Sequence, residues 1–107
     1  MDIDIIIPIY NAFDFVKKCI ETVIEHTDLT QHTLLLVNDK STDERILPLL
    51  NSFIKENQSL NIILIDNKDN QGFVRTVNIG MQYSHHDVVL LNSDTEVTRN
   101  WLSKIQN

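Results

Sequence analysis

The stretch LLLVND at residues 34–39 indicates the fold, because an apolar run ends there at an amide and a carboxylate. The stretch VVLLNSD at residues 88–94 has the same arrangement. Short aliphatic runs of this kind are typical of strands buried on both faces of a parallel sheet. If both strands belong to one sheet, Asp39 and Asp94 project from its carboxyl edge, where open α/β sheets bind ligands. We therefore expect a site for phosphates and a divalent cation, since hard cations take oxygen ligands.

Strand and helix patterns alternate along the chain. Strands are predicted at residues 3–9, 34–37, 61–65 and 88–91, and helices from Phe13, around 46–54, over 73–83 and from Trp101. The order β-α-β-α-β-α-β predicts a Rossmann-like α/β fold, a mainly parallel sheet flanked by helices. Residues 1–107 form one domain or part of one, and we expect a C-terminal truncation because the last helix is cut off.

Two local expectations concern helix ends and faces. Residues 41–44, Ser-Thr-Asp-Glu, have the form of a capping box for the second helix. On the third helix we expect Val74, Val77 and Met81 to face inward. Gly80 costs about 1 kcal/mol relative to Ala in a helix interior, which favours an early end of that helix.

Composition excludes several classes of protein. The net charge of −6 and the scattered Lys and Arg residues argue against nucleic-acid binding. The single cysteine, Cys19, lies in a helical apolar pattern and is predicted to be a buried structural thiol, as in a reducing cytoplasm. The sequence has neither a membrane-length apolar stretch nor a basic signal-peptide start. We expect a cytoplasmic protein, with self-association through the exposed surface of the truncated sheet.

Each candidate residue also has a structural interpretation. Asp39 and Asp94 are either ligands or caps of the turns that follow them. Asn38 and Asn92 bond either a ligand or loop backbone, with the loop favoured. Tyr10 and Asn11 either offer an aromatic face to a base or form a helix-entry turn with Asn11 as the cap; these alternatives remain open.

Missing motifs narrow the chemistry further. No Gly-x-Gly-x-x-Gly follows the first strand, and the chain contains no P-loop sequence. Nothing resembles a nucleophile elbow either. The sequence thus argues against ordinary dinucleotide-binding, P-loop and hydrolase functions.

Four blocks of sequence, at residues 5–11, 36–43, 70–80 and 91–95, together resemble the successive signatures of family 2 glycosyltransferases, which have the GT-A fold. The match covers nearly the whole chain. Asn-x-Gly-Phe at 70–73 and Leu-Asn-x-Asp-Thr at 91–95 are most similar to bacterial members that build cell-surface polysaccharide, including rhamnosyltransferase-like ones.

The resemblance implies roles for particular residues. Pro8, Tyr10 and Asn11 would line the base and ribose pocket, and Asp39 would bond the nucleobase imide. Asn70, Gly72 and Asn78 would shape the loop and helix beside the nucleotide. Asn92, Ser93 and Asp94 correspond to the family's Asp-x-Asp motif, with Asp94 as the ligand of Mn²⁺ or Mg²⁺.

The implied reaction moves a sugar from a nucleoside diphosphate, of the UDP or dTDP type, to a glycan or lipid-linked acceptor. The general base is expected beyond residue 107, so no catalytic residue is assigned here and this chain alone should be inactive. The full-length protein would be cytoplasmic or peripheral at the inner membrane. The alternatives are a nucleotidyltransferase and a non-catalytic nucleotide-binding module.

Three residues depart from the family pattern. Asn92 replaces the common first Asp of the metal motif, which leaves one charge fewer for a cation. Lys40 stands where Gly or Asn is frequent, so we expect a different turn after Asp39. Val77 stands where many members have Arg, which removes a phosphate partner.

Overall fold

The structure, a computed structural model, describes residues 2–84 and 86–106. Asn107, where the last predicted helix is cut off, lies outside them. The elements follow in the order β1 (Ile3–Ile9), α1 (Phe13–His26), β2 (Thr33–Asn38), α2 (Ile46–Glu56), β3 (Ile62–Asp66), α3 (Phe73–Tyr83), β4 (Asp87–Leu90) and α4 (Trp101–Gln106). The predicted α/β architecture is confirmed, and each strand lies within one residue of its predicted start and end.

The four strands form one parallel sheet in the order β3-β2-β1-β4. The chain moves outward from β1 through β2 to β3 and then returns to the other side of β1 as β4. The strand order therefore reverses beside β1, and the loops after β1 and β4 separate there. Ligands of open α/β sheets bind at such a switch point, outside the carboxyl ends of the strands.

Helices cover both faces of the sheet. The odd-numbered residues of β1 pack with α1, α2 and α4 in the larger apolar core. On the other face, Ile6 packs with Leu35 and Val37 beneath α3. The alternation of side chains along a strand sends these two sets to opposite faces.

The predicted inward face of α3 is wrong at two of its three positions. Val74 is 70% exposed and Met81 50% exposed, whereas Val77 is half-buried. The face against the sheet instead carries Thr76 and Gly80, both buried. A Cβ on Gly80 would lie 2.8 Å from the Ile6 side chain, so the missing side chain allows close packing. Gly80 is therefore a contact point rather than a helix end, and α3 continues to Tyr83.

The predicted capping box is also wrong. α2 begins at Ile46, its N-cap is Arg45, and no side chain caps it. The Ser41 hydroxyl instead donates to Asn38 Oδ1 at 2.7 Å and accepts the Asn11 N–H at 2.9 Å. Ser41 joins two loops at the carboxyl edge of the sheet because its hydroxyl serves as both donor and acceptor.

Several large apolar side chains are exposed. They include Phe73, Val74, Met81 and Tyr83 on α3, Ile63 and Leu90 on the two edge strands, and Tyr10 and Phe15 near β1. Self-association through such surface stays a prediction. Within residues 2–84 and 86–106, no helix is long and apolar enough to cross a membrane.

The close packing at Gly80 gives a test of the fold. Gly80→Val should lower the free energy of unfolding by about 1–3 kcal/mol, the usual cost of overpacking, because Ile6 is fully buried and has little room to move. Chemical denaturation followed by circular dichroism measures this change. The control is Gln82→Val, which places the same β-branched residue on the exposed side of α3. Equal stability of the two variants would contradict the close contact.

Candidate functional site

Two cavities meet at the carboxyl edge of the sheet. The first, of about 610 Å³, is lined by Pro8, Ile9, Tyr10, Asp39, Lys40, Thr42, Asn70, Gly72, Phe73 and Thr76. The second, of about 410 Å³, is lined by Pro8, Tyr10, Ala12, Phe15, Phe73, Asn92, Ser93 and Asp94. Three residues, Pro8, Tyr10 and Phe73, line both and so form their shared boundary. One cavity contains Asp39 and the other Asp94, on either side of β1.

The Asp39 carboxylate is held by hydrogen bonds from the segment that leads into α3. Oδ1 accepts the Gln71 N–H at 2.7 Å and the Asn67 side-chain amide at 3.0 Å, and Oδ2 accepts the Gly72 N–H at 3.0 Å. Burial would raise the pKa of Asp39, but these bonds and one from Thr76 outweigh it, so the pKa is lowered. Asp39 is thus an oriented, ionised acceptor in the wall of the first cavity.

The turn after Asp39 has a conformation that favours glycine. Lys40 has a φ of 56°, in the left-handed region. The lysine adopts this glycine-type conformation at some cost in strain. The expectation that the turn differs from that of other family members stays a prediction. Lys40 is one of the residues that line the first cavity.

The Asn11 side chain joins the loops after β1 and β2. Its Oδ1 accepts the Asp43 N–H at 2.9 Å, and its Nδ2 donates to Thr42 Oγ1 at 3.0 Å. The N-cap of α1 is Ala12, without a side-chain cap bond, so Asn11 is not the cap. Asn11 thus supports the first cavity through Thr42.

Helix α1 positions the segment that follows β4. The Cys19 thiol donates to the Asn92 carbonyl at 3.7 Å, and Thr22 Oγ1 accepts the Val97 N–H at 3.1 Å. Burial raises the pKa of Cys19 to about 11. A hydrogen bond with the Thr95 backbone lowers this pKa, and the nearby negative charge of Asp94 raises it further. The predicted buried, structural thiol is confirmed.

The Asp94 carboxylate caps no backbone N–H among the described residues. Its side chain is exposed in the second cavity, and among the described residues its carboxylate has no hydrogen-bond or ion-pair partner. Residues 2–84 and 86–106 contain no group of three His, Cys, Asp or Glu side chains that could hold a metal. One carboxylate suits Mg²⁺ or Mn²⁺ shared with a phosphate, because such ions combine few carboxylates with substrate oxygens and water. The donor set therefore fits a cation that binds together with a diphosphate.

Most of the predicted site residues lie around the two cavities. Pro8, Tyr10, Asp39, Asn70 and Gly72 line the first, and Pro8, Tyr10, Asn92, Ser93 and Asp94 line the second. Asn11 lies behind the first cavity, and Asn78 is exposed on α3 and lines neither. Their roles toward a nucleotide stay predictions.

Sequence reasoning gave no role to several residues at this site. Phe73 and Thr42 line the first cavity, and Asn67 and Thr76 are buried against the Asp39 carboxylate. Asn67 lies directly after β3, in the position that singled out Asp39 after β2, so the same strand-end argument would have found it. Thr76 carries no such signal, because its burial depends on the close packing at Gly80.

The parallel sheet and the polar edge at its switch point define an open α/β domain with a candidate ligand site. The model of the family described as "Glycosyl transferase family 2" matches residues 4–107. The chain belongs to this family.

Two relatives support the assignment at the level of sequence. The chain is 31% identical over 104 residues to polypeptide N-acetylgalactosaminyltransferase 11 of Xenopus tropicalis, covering 94% of this chain and 17% of that protein. It is 33% identical over 73 residues to the poly(ribitol-phosphate) beta-glucosyltransferase of Bacillus spizizenii, covering 67% of this chain and 11% of that enzyme. The chain therefore spans less than a fifth of the length of either relative.

Solved structures share the fold. Residues 1–349 of S. aureus TarS superpose with a TM-score of 0.81 at 19% identity, covering 99% of this chain and 31% of that one. The mannosyltransferase PcManGT from Pyrobaculum calidifontis, solved with GDP-Man and Mn²⁺, gives 0.83 at 17% identity, covering 94% and 32%. At this identity the likeness establishes the GT-A fold alone.

The bonds to Asp39 predict how stability depends on pH. Because the folded-state pKa lies below the usual 3.8, the ionised carboxylate stabilises the fold above that pH. This contribution is lost as the pH falls through the lowered pKa. Asp39→Asn should cost about 1–3 kcal/mol at neutral pH, since its amide cannot accept all of these N–H groups.

Denaturant titration at several pH values measures both effects. The free energy of unfolding of the unchanged chain should fall more between about pH 5 and pH 3 than that of Asp39→Asn. Asp69→Asn, an exposed carboxylate in the same loop, is the control and should follow the unchanged chain. Parallel pH profiles for the unchanged chain and Asp39→Asn would show that the carboxylate has no such role.

Proposed function

We propose that this chain is the donor-binding part of a glycosyltransferase that binds a nucleoside-diphosphate sugar together with a divalent cation. The observation that carries the proposal is the pair of joined cavities, with the Asp39 acceptor in one and the unpartnered Asp94 carboxylate in the other. A nucleoside diphosphate has matching chemistry, a base with N–H donors at one end and an anionic diphosphate at the other.

Residues of the first cavity would bind the nucleoside. Asp39 would accept the imide N–H of a pyrimidine base, since its pKa keeps it ionised at neutral pH. This chemistry favours a UDP or dTDP donor. The relatives offer both pyrimidine and purine precedents: TarS was solved with UDP and UDP-GlcNAc, and PcManGT with GDP-Man.

Residues of the second cavity would hold the cation and the diphosphate. Asp94 would ligate Mn²⁺ or Mg²⁺, and Asn92 and Ser93 would contribute neutral oxygens nearby. When bound, the cation would neutralise the charge that develops on the departing diphosphate. GalNAc-T7, solved with UDP, GalNAc and Mn²⁺, and PcManGT, solved with Mn²⁺, are precedents within the same fold.

The whole reaction needs groups that we do not assign to this chain. We propose a glycan or lipid-linked acceptor, a role in cell-surface polysaccharide synthesis, and a general base beyond residue 107. A cytoplasmic location, or a peripheral one at the inner membrane, is part of the same proposal. The poly(ribitol-phosphate) beta-glucosyltransferase is a relative whose name indicates a polymer acceptor.

Calorimetric titration with UDP, dTDP and GDP, each with and without Mn²⁺, tests the donor site. We expect Mn²⁺ to strengthen the binding of UDP or dTDP, and Asp94→Ala to reduce the affinity in Mn²⁺ by at least about tenfold, since an ion-mediated contact of 1.4 kcal/mol or more is lost.

The matched control is Glu96→Ala, which removes an exposed carboxylate two residues away that lines neither cavity. It should leave the affinity and its dependence on Mn²⁺ unchanged. If the folded chain binds none of the three nucleotides, the proposed donor site is wrong. If it binds them equally well with and without Mn²⁺, the proposed role of the cation is wrong but the nucleotide site stands.

A further inference from the structure

Tyr10 and Phe73 form an aromatic neck where the two cavities meet. Tyr10 follows β1 and is 48% exposed, and Phe73 opens α3 and is 58% exposed. Each lines both cavities, and Pro8 is the third residue of this boundary. We propose that Phe73 is a nucleobase-binding residue that covers the base on the side opposite Tyr10. The proposal rests on the proposed function, because it names a further residue of the same donor site.

The backbone at Phe73 is fixed even though its ring is exposed. The Gly72 N–H bonds Asp39 Oδ2 at 3.0 Å, and the Thr76 N–H bonds the Gly72 carbonyl at 3.0 Å. One helical turn beyond Thr76, Gly80 packs directly on Ile6. The first turn of α3 is therefore anchored on both sides of Phe73, which fixes the point at which its side chain leaves the backbone at the neck.

The composition of the first cavity fits a flat heteroaromatic ring. Its aromatic residues are Tyr10 and Phe73, and its polar residues are Asp39, Lys40, Thr42, Asn70 and Thr76. A base between the two rings would stack on its faces and present its polar edge to these groups. An aliphatic ligand would make no use of these polar groups, and a ligand without a flat ring would make little use of the two aromatic side chains.

The other explanation of an exposed Phe73 is contact with a further protein segment. That explanation applies equally to Tyr83, which lies on the same helix and is also 58% exposed, but which lines neither cavity. The two residues differ in that Phe73 lies at the neck and Tyr83 does not. Tyr83 is therefore the matched control.

The test is calorimetric titration of the 107-residue chain with UDP in Mn²⁺, and with uridine in the absence of metal. Phe73→Ala should weaken both ligands by roughly 10- to 100-fold, the usual effect of removing one stacked aromatic from a nucleic-acid base. Phe73→Leu should also weaken them, since it keeps apolar bulk but removes the ring face, whereas Phe73→Tyr should retain affinity within about threefold. Tyr83→Ala should bind as the unchanged chain does.

The loss for uridine should equal the loss for UDP, because stacking involves the base and not the diphosphate. If the unchanged chain binds UDP and Phe73→Ala or Phe73→Leu binds it equally well, the Phe73 proposal is overturned while the proposed function stands. If Phe73→Ala weakens UDP but not uridine, Phe73 does not contact the base and the proposal is again overturned. If the folded chain binds no nucleotide at all, both proposals fail.

Discussion

The hydrogen bonds to the buried Asp39 carboxylate are the interaction on which the candidate site depends. Asp39 directly follows β2, and its carboxylate accepts N–H groups from the segment before α3. Its own N–H donates to the Ile9 carbonyl at 2.7 Å. A single residue thus ties together the ends of β1 and β2 and the start of α3. A buried carboxylate is tolerable here because N–H and side-chain donors replace its hydration, and their effect on its pKa exceeds the desolvation cost. The wall of the first cavity is therefore built around one charge.

The second cavity depends on α1 in a similar way, but through neutral contacts. Cys19 and Thr22 hold the backbone at Asn92 and Val97, and Trp101 Nε1 donates to Thr27 Oγ1 at 2.8 Å. These contacts fix the loop on both sides of Asp94 without using its carboxylate. The two carboxylates at this edge therefore differ in role. The buried acid, Asp39, orders the chain, whereas the exposed acid, Asp94, keeps its oxygens free for a ligand.

The fold and the edge of the sheet could be predicted from the sequence because both follow from periodicity. The apolar runs end at Val37 and Leu91, and parallel strands then place Asp39 and Asp94 at the same edge. The face of α3 could not be predicted in this way. An apolar pattern indicates which side of a helix is hydrophobic. In α3, however, steric fit decides which side packs on the sheet, since only the side with Gly80 can approach Ile6 closely. The capping-box prediction was wrong for a related reason, because the Ser41 hydroxyl forms hydrogen bonds with Asn38 and Asn11 and not with the helix that follows.

The two departures from the family pattern at Lys40 and Asn92 affect different properties of the site, the first its backbone and the second its charge. Lys40 has a glycine-type backbone, since the bonds of Asp39 and Ser41 on either side of it fix the turn and an L-residue can enter the left-handed region at modest cost. Asn92 is different, because it is exposed at the cavity and its side chain lacks the charge of the usual aspartate. Its carbonyl still accepts the Cys19 thiol, so the loop geometry is preserved while the electrostatics change. With Asp94 as the one carboxylate lining the second cavity, most of the negative charge around a cation there would have to come from a diphosphate. Cation and nucleotide would then strengthen each other's binding, since each supplies ligands or charge that the other lacks.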